Sequence, residues 1–311
     1  MRIQKLAQEK LNRKTKPLGS LGRLEDIAIQ LCEIQQTLEP KITKKRTLVF
    51  AASHGIDEEG VSAYPREVTG QMVLNFLRGG AAINVFARCG NIELSVIDVG
   101  VDAGFGNGSD SPMFFNRKIR CGTRNFLKEP AMTFAEFSKA IEAGREQARL
   151  AKFANVSLLG VGEMGIGNTT SASALFSALL DLPAEETVGR GTGIDDERLA
   201  RKVQVVKRAL EKHRLDGADA AHWLSHVGGF EIVAMTGVLL EAADLRLPVV
   251  VDGFVSTAAA VAAIQLNPSV KEICFWAHCS NEKAHKQVLD ILGATPILSL
   301  DMRLGEGTGA A

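Results

Sequence analysis

Apolar residues recur along this chain in two rhythms. Short, mostly apolar runs, Thr47 to Ala52, Leu94 to Val99, Val156 to Leu159, Val249 to Val251, Ile273 to Phe275 and Ile297 to Leu300, have the length and β-branched content of strands buried on both faces. Most are separated by stretches of helical spacing: Glu67 to Arg88, Phe134 to Phe153, Glu197 to Lys212, Phe230 to Leu245, Thr257 to Leu266 and Glu282 to Leu292. This alternation predicts an α/β fold, a mostly parallel, doubly wound sheet flanked by helices. The start of the chain is different. Ile3 to Arg13 reads as an amphipathic helix, Pro17, Gly19 and Gly22 break the chain, and Ser20 stands where it can cap a second helix running to about Gln36. Ser171 to Leu180 and Ser256 to Ile264 are rich in Ala and Ser, which lets a buried helix approach a sheet closely.

The polar positions between the runs carry the candidate chemistry. Four glycines and one acid, Glu163, lie between the third strand and a helix that Asn168 or Thr169 can cap. Such a turn exposes backbone N–H groups to a ligand, commonly an anion. It matches neither the dinucleotide fingerprint nor a Walker loop, so a tight strand-to-helix connection with no ligand fits equally well. A second glycine loop, Gly189 to Gly193, leads through Asp195 and Asp196 into a helix whose second turn carries Lys202. The two aspartates cap that helix and oppose a phosphate set directly on it. If a phosphate binds, its place is between the two loops, on Lys202.

Polar or glycine residues stand at or beyond the end of every predicted strand: Ser53-His54-Gly55 after the first, Asp98, Gly100 and Asp102 carried by the second, then Gly162 to Gly165, Asp252-Gly253, His278-Cys279-Ser280, and finally Asp301 with Arg303 to Gly309. Open α/β sheets bind ligands outside the carboxyl ends of their strands, so a site built from these loops is expected. Glu306 is the sharpest catalytic candidate. Flanked by glycines, it is either a desolvated general base of raised pKa or part of a flexible terminal tail.

Composition narrows the class. With 311 residues the chain is long enough for two domains or one large domain with additions. Lys plus Arg equals Asp plus Glu at 36 each, which gives no polyanion signal. Residues 1 to 50 carry 11 basic and 5 acidic side chains without interleaved aromatics, a solvated helical face rather than a nucleic-acid arm. Neither a signal nor a transit peptide is convincing, and the nearly apolar stretch Phe254 to Leu266 is too short to span a bilayer. A cytoplasmic protein with no membrane partner is expected. Its five scattered cysteines suit a reducing compartment. Cys274, His278, Cys279 and His285 cluster, but they contain no C-x-x-C pair, and adjacent His278 and Cys279 would leave a strand in opposite directions. No metal is expected there.

Seven long motifs occur in order: KPLGSLGRLE (Lys16 to Glu25), SHGIDEEGVSAYP (Ser53 to Pro65), GEMGIGNTTSASAL (Gly162 to Leu175), GRGTGIDD (Gly189 to Asp196), VGGFEI (Val227 to Ile232), VVDGFVSTAA (Val250 to Ala259) and RLGEGTGAA (Arg303 to Ala311). In these the chain resembles the nicotinate-nucleotide:dimethylbenzimidazole phosphoribosyltransferases, over nearly its whole length from Lys16. The resemblance implies transfer of 5-phosphoribosyl from nicotinate mononucleotide to 5,6-dimethylbenzimidazole, giving α-ribazole 5′-phosphate and nicotinate with inversion at C1′. It implies Glu306 as general base and Glu163 beside the reacting groups. Gly162, Gly165, Gly191, Gly193, Lys202 and Ser280 would hold the nucleotide or its phosphate, and Glu231 would lie near the ribose. The family fold has a large α/β domain, here residues 41–300, and a small helical domain made from both chain ends, here residues 1–40 and the catalytic loop 301–311, paired as a homodimer. No metal, nucleotide triphosphate or redox cofactor is implied. Family members continue past RLGEGTGAA into a helix that closes the small domain, whereas this sequence ends at Ala311. The base pocket is expected near Ser62 to Gln71. Two other functions share these features, a catalytically silent nucleotide-binding protein and an N-glycosidic nucleotide hydrolase.

Overall fold

Lys45–Ala52 forms β1, the strand from which the sheet grows in both directions. In the computed structural model, which describes residues 2–106, 110–191 and 193–311, it is followed by β2 (Glu93–Gly100), β3 (Phe114–Asn116), β4 (Leu158–Met164), β5 (Val249–Val251) and β6 (Cys274–Trp276). The strand order is β3-β2-β1-β4-β5-β6, and every pairing is parallel. The chain works outward from β1 to one edge, then crosses back and works outward from β4 to the other. Loops leaving the carboxyl ends of β1 and β4 therefore diverge, and a crevice opens between them. Thr192 of the second glycine loop lies outside the described residues.

Helices α1 (Arg2–Asn12) and α2 (Arg23–Gln35) precede the sheet and share a small apolar cluster of Ala7, Ile29 and Cys32. The sheet is then flanked by α3 (Glu67–Leu77), α4 (Ala82–Gly90), α5 (Phe134–Phe153), α6 (Asn168–Leu180), α7 (Ala184–Thr187), α8 (Asp196–His213), α9 (Ala220–Val227), α10 (Phe230–Asp244), α11 (Phe254–Leu266), α12 (Val270–Ile273) and α13 (His285–Ile291). Leu48, Phe50, Leu159 and Val161 point to one face, into the main core with α6, α10 and α11. Those helices are buried nearly all round, and Phe176 of α6 meets Phe254 of α11 edge-on with centroids 5.0 Å apart. Val49, Ala51 and Met164 point to the other face, with Val73 and Phe76 of α3 and Ile83 of α4.

Several expected elements differ, each for a local reason. Glu67 to Arg88 is two helices, because Gly79 takes a φ of 78° and the Asn84 side chain accepts from the Ala81 N–H to start α4 anew. Ser20 does not cap α2. The Leu21 N–H donates instead to the Glu25 carboxylate, which Lys16 also reaches at 2.8 Å. The cap of α6 is Gly167, with a φ of 93°. Ile297 to Leu300 makes only an isolated bridge from Leu298 to His278, and the three-residue edge strand β3 has no pattern long enough to mark it. Above all, β4 runs on through Gly162, Glu163 and Met164, residues expected in the loop beyond it.

Candidate active site

The extension of β4 follows from what lies on it. The segment from Gly305 to Ala311 folds back across the Gly160 and Gly162 side of the strand. A Cβ on Gly162 would collide with the Gly307 backbone, and one on Gly160 would press on Ala310. Glycine in mid-strand is thus the condition for main chain to lie directly on main chain. The turn is held from below by Asp252, just beyond β5, whose two oxygens accept the N–H groups of Gly307 (3.1 Å) and Ala310 (3.0 Å). Glu306 takes a φ of 63°, and its N–H donates to the Glu163 carbonyl at 3.2 Å. It is ordered and only 4% exposed, which removes the mobile-tail reading.

Four carboxylates meet here: Glu163, Glu231, Asp252 and Glu306, none more than 8% exposed. Burial pushes the Glu163 carboxyl up to about 8, reinforced by the negative charges of Glu231, Asp252 and Glu306 and opposed by the Asn168 side-chain amide, which donates to it. Asp252 rises to about 7 from burial, against its backbone N–H donors. Glu306 is raised by burial and held back by the Ile83 N–H at the start of α4. One oxygen each of Glu231 and Glu306 is buried without a hydrogen-bond partner among the described residues. Buried acceptors are normally satisfied, so these two are suited to receive a donor from a substrate.

Glu231 enters from the first turn of α10. Its other oxygen lies 2.7 Å from His54 Nε2, and His54 Nδ1 is 3.3 Å from the Ser171 hydroxyl; both members of the His54–Glu231 pair are fully buried. Gly165 packs beside this pair, its Cα close to the Ala52 carbonyl and the His54 ring. That glycine joins the β1 and β4 loops.

Lys202 stands on the other side of α6. It is 1% exposed, and burial lowers its pKa to about 8. Its ammonium donates to Thr169 Oγ1 at 2.8 Å and to the Gly189 carbonyl at 3.2 Å. Gly191 lies against the same Thr169 and Lys202 atoms. Asp195 caps α8 as expected, accepting from Arg198 N at 2.8 Å. Ser280 is buried; its hydroxyl accepts from the Glu282 N–H at 3.3 Å, and its own N–H donates to His285 Nδ1 at 2.8 Å. Gly193 is not brought into this group: it is exposed, and its N–H turns back to the Arg190 carbonyl. His285, a member of the Cys/His cluster, spends its second nitrogen on Thr257 at 2.9 Å.

The sequence points to Glu163, Glu306, Glu231 and Lys202, whereas His54 and Asp252 read there only as loop residues, and Asn168, Thr169 and Glu282 carry no part in the chemistry. His54 and Glu231 are 177 positions apart, and no spacing rule joins them. Asn168 and Thr169 are legible as polar groups at a helix start, where capping is the ordinary reading.

A phosphoribosyltransferase family model matches residues 1–311. The chain is 50% identical over 305 residues to the nicotinate-nucleotide–dimethylbenzimidazole phosphoribosyltransferase of Geobacter sulfurreducens, covering 98% of this chain and 86% of that protein. It is 49% identical over 311 residues to the protein of the same name from Chlorobaculum tepidum, covering 100% and 87%. Among solved structures, CobT from Thermus thermophilus superposes with a TM-score of 0.96 at 46% identity, covering 100% of this chain and 92% of that one.

Proposed function

The chain belongs to the nicotinate-nucleotide–dimethylbenzimidazole phosphoribosyltransferase family, and from that premise we propose that it transfers 5-phosphoribosyl from nicotinate mononucleotide to 5,6-dimethylbenzimidazole with inversion at C1′. The observation that carries the residue assignment is Glu306, fixed in a glycine-flanked turn beside Glu163 at the crevice between β1 and β4.

Nicotinate in the mononucleotide is already a pyridinium and leaves without a proton, so the donor half of the reaction needs no acid. The acceptor half needs a base. One benzimidazole nitrogen attacks C1′, the bond from C1′ to nicotinate breaks, and the other benzimidazole nitrogen gives its proton to Glu306. Burial raises that carboxyl, which makes its ionised form a stronger base. Glu163, at about 8, is largely protonated at pH 7 until a cation joins it. The pyridinium, and then the oxocarbenium-like sugar, supply that cation and draw Glu163 towards its ionised form, in which it stabilises the charge on C1′. Binding is therefore coupled to proton release. Glu231, oriented by His54, takes the ribose hydroxyls.

Lys202, with the backbone of Gly191 and with Ser280, receives the 5′-phosphate; Gly162 and Gly165 serve by letting the turns approach. Gly193 is given a part in phosphate binding only through the loop it belongs to. The family likeness supports a homodimer in the cytoplasm as the working form, with residues 1–40 and 301–311 as parts of a small domain beside 41–300. Among the described residues no helix is long and apolar enough to cross a membrane.

Incubation with both substrates, followed by separation and NMR of the product, tests this reading. The expected product is the α-anomer of ribazole 5′-phosphate with one nicotinate per turnover. Ribose 5-phosphate formed without acceptor would assign the protein to hydrolysis instead.

A further inference from the structure

Glu282 lies between Ser280 and α13, and no part of the reaction above uses it. Its carboxylate nevertheless sits among the groups assigned to the phosphate. One oxygen lies against Gly189 so closely that a Cβ on that glycine would overlap it. The Gly191 N–H donates to it, and the positive charges of Lys202 and Arg303 act on it. Lys202 in turn feels Glu282 as the charge that offsets its burial. A glycine N–H, a buried ammonium and a nearby guanidinium around one oxyanion form the environment of a bound phosphate. Here the protein's own carboxylate holds it.

We propose that Glu282 sets the nucleotide affinity of this site, as an internal anion that competes with the nucleotide's phosphate for the Gly189–Gly191 loop and Lys202. The inference rests on the assignment of the phosphate to that loop. A phosphate set against the Gly191 N–H and the Lys202 ammonium would lie beside the Glu282 carboxylate and be repelled by it. A phosphate dianion entering the loop therefore displaces the carboxylate. The backbone of this segment is held, since the Asn281 N–H donates to the Met302 carbonyl at 2.9 Å and the His285 N–H to the Glu282 carbonyl at 3.0 Å. Displacement is accordingly a rotation of the Glu282 side chain alone. A dianion gains more from Lys202 and Arg303 than a carboxylate does and prevails, whereas a ligand without a phosphate leaves Glu282 in place. The cost of displacement keeps the affinity for the nucleotide below what the loop alone would give, and Glu282 shields the buried Lys202 ammonium when no phosphate holds it.

Calorimetric titration of nicotinate mononucleotide, nicotinate riboside and inorganic phosphate into the wild type, Glu282→Gln and Glu282→Ala tests the proposal. Both variants are expected to bind the mononucleotide roughly tenfold more tightly, the scale of one relieved like-charge contact, with riboside affinity unchanged within about twofold. Unchanged or weaker mononucleotide binding in both variants would overturn it. If the mononucleotide binds none of the three proteins, the functional reading fails, and inorganic phosphate decides on Glu282 independently. Phosphate bound more tightly by both variants than by wild type upholds the competition, and equal or weaker binding refutes it.

Discussion

Glu163 and Thr169 stand six residues apart, at the end of β4 and the start of α6, and they open on two halves of the crevice with opposite electrical character. On the Glu163 side four buried carboxylates crowd together, and burial raises Glu163, Asp252 and Glu306, with neighbouring negative charge adding to the first two. On the Thr169 side a buried lysine is lowered by the same cause and is shared among neutral oxygens and one acid. Each half is desolvated, and each thereby holds groups whose charge changes easily near neutrality. Burial here has two outcomes. Like charges gathered together retain protons until a cation arrives, while a lone cation is kept for an anion that brings its own charge. The proposed substrate, a pyridinium at one end and a phosphate at the other, is complementary in charge to the two halves.

The turn that carries Glu306 is where the comparison is most easily broken. Gly162→Ala places a methyl group where the Gly307 backbone lies and should lift the turn from β4. A misplacement of this kind costs about 10² in rate, with nucleotide affinity on the Lys202 side little changed; steady-state kinetics beside calorimetry would separate the two. Lys202→Met attacks the other half. Loss of a charge-assisted contact should weaken mononucleotide binding roughly 10- to 100-fold and leave the riboside unaffected.

The carboxylate half also leaves a mark on stability. Glu163 and Asp252 titrate at about 8 and about 7 in the folded chain, against ordinary values of 4.5 and 3.8. The folded state therefore binds more protons than the unfolded one between those limits. Their contribution to stability is intact below about pH 4 and is lost as pH rises through 7 and 8. Lys202, at about 8 against 10.5, is protonated in both states through most of that window, and its burial penalty is relieved only above it. Melting temperature should fall from pH 5 to pH 8, and Glu163→Gln should flatten the slope. Far from both halves, Thr133 caps α5 in a reciprocal box with Glu136. Thr133→Ala should cost about 1 kcal/mol of stability with turnover unchanged, the smallest effect and a control for the others.

The sheet is more legible in the sequence than the site. Thr47 to Ala52 and Val249 to Val251 are apolar on both faces and read directly as β1 and β5. β4 extends beyond its apolar run because Gly160 and Gly162 resemble a loop, and their reason for being in a strand is a turn some 145 residues further on. Glu306 is visible as an acid between glycines, but whether it belongs to a site or a loose end depends on Asp252, whose hold on Gly307 spans 55 positions. Glu282 gives no signal at all, since an acid before a helix is ordinary. Its meaning comes only from Gly189 and Lys202 being folded against it.

The most direct test of the carboxylate assignment is acceptor-dependent nicotinate release by wild type and Glu306→Gln, with mononucleotide affinity measured on the same samples. The expected result is release that requires dimethylbenzimidazole and falls by about 10²–10⁴ in the variant, at unchanged affinity. Release that persists at the wild-type rate in Glu306→Gln would contradict the role of Glu306.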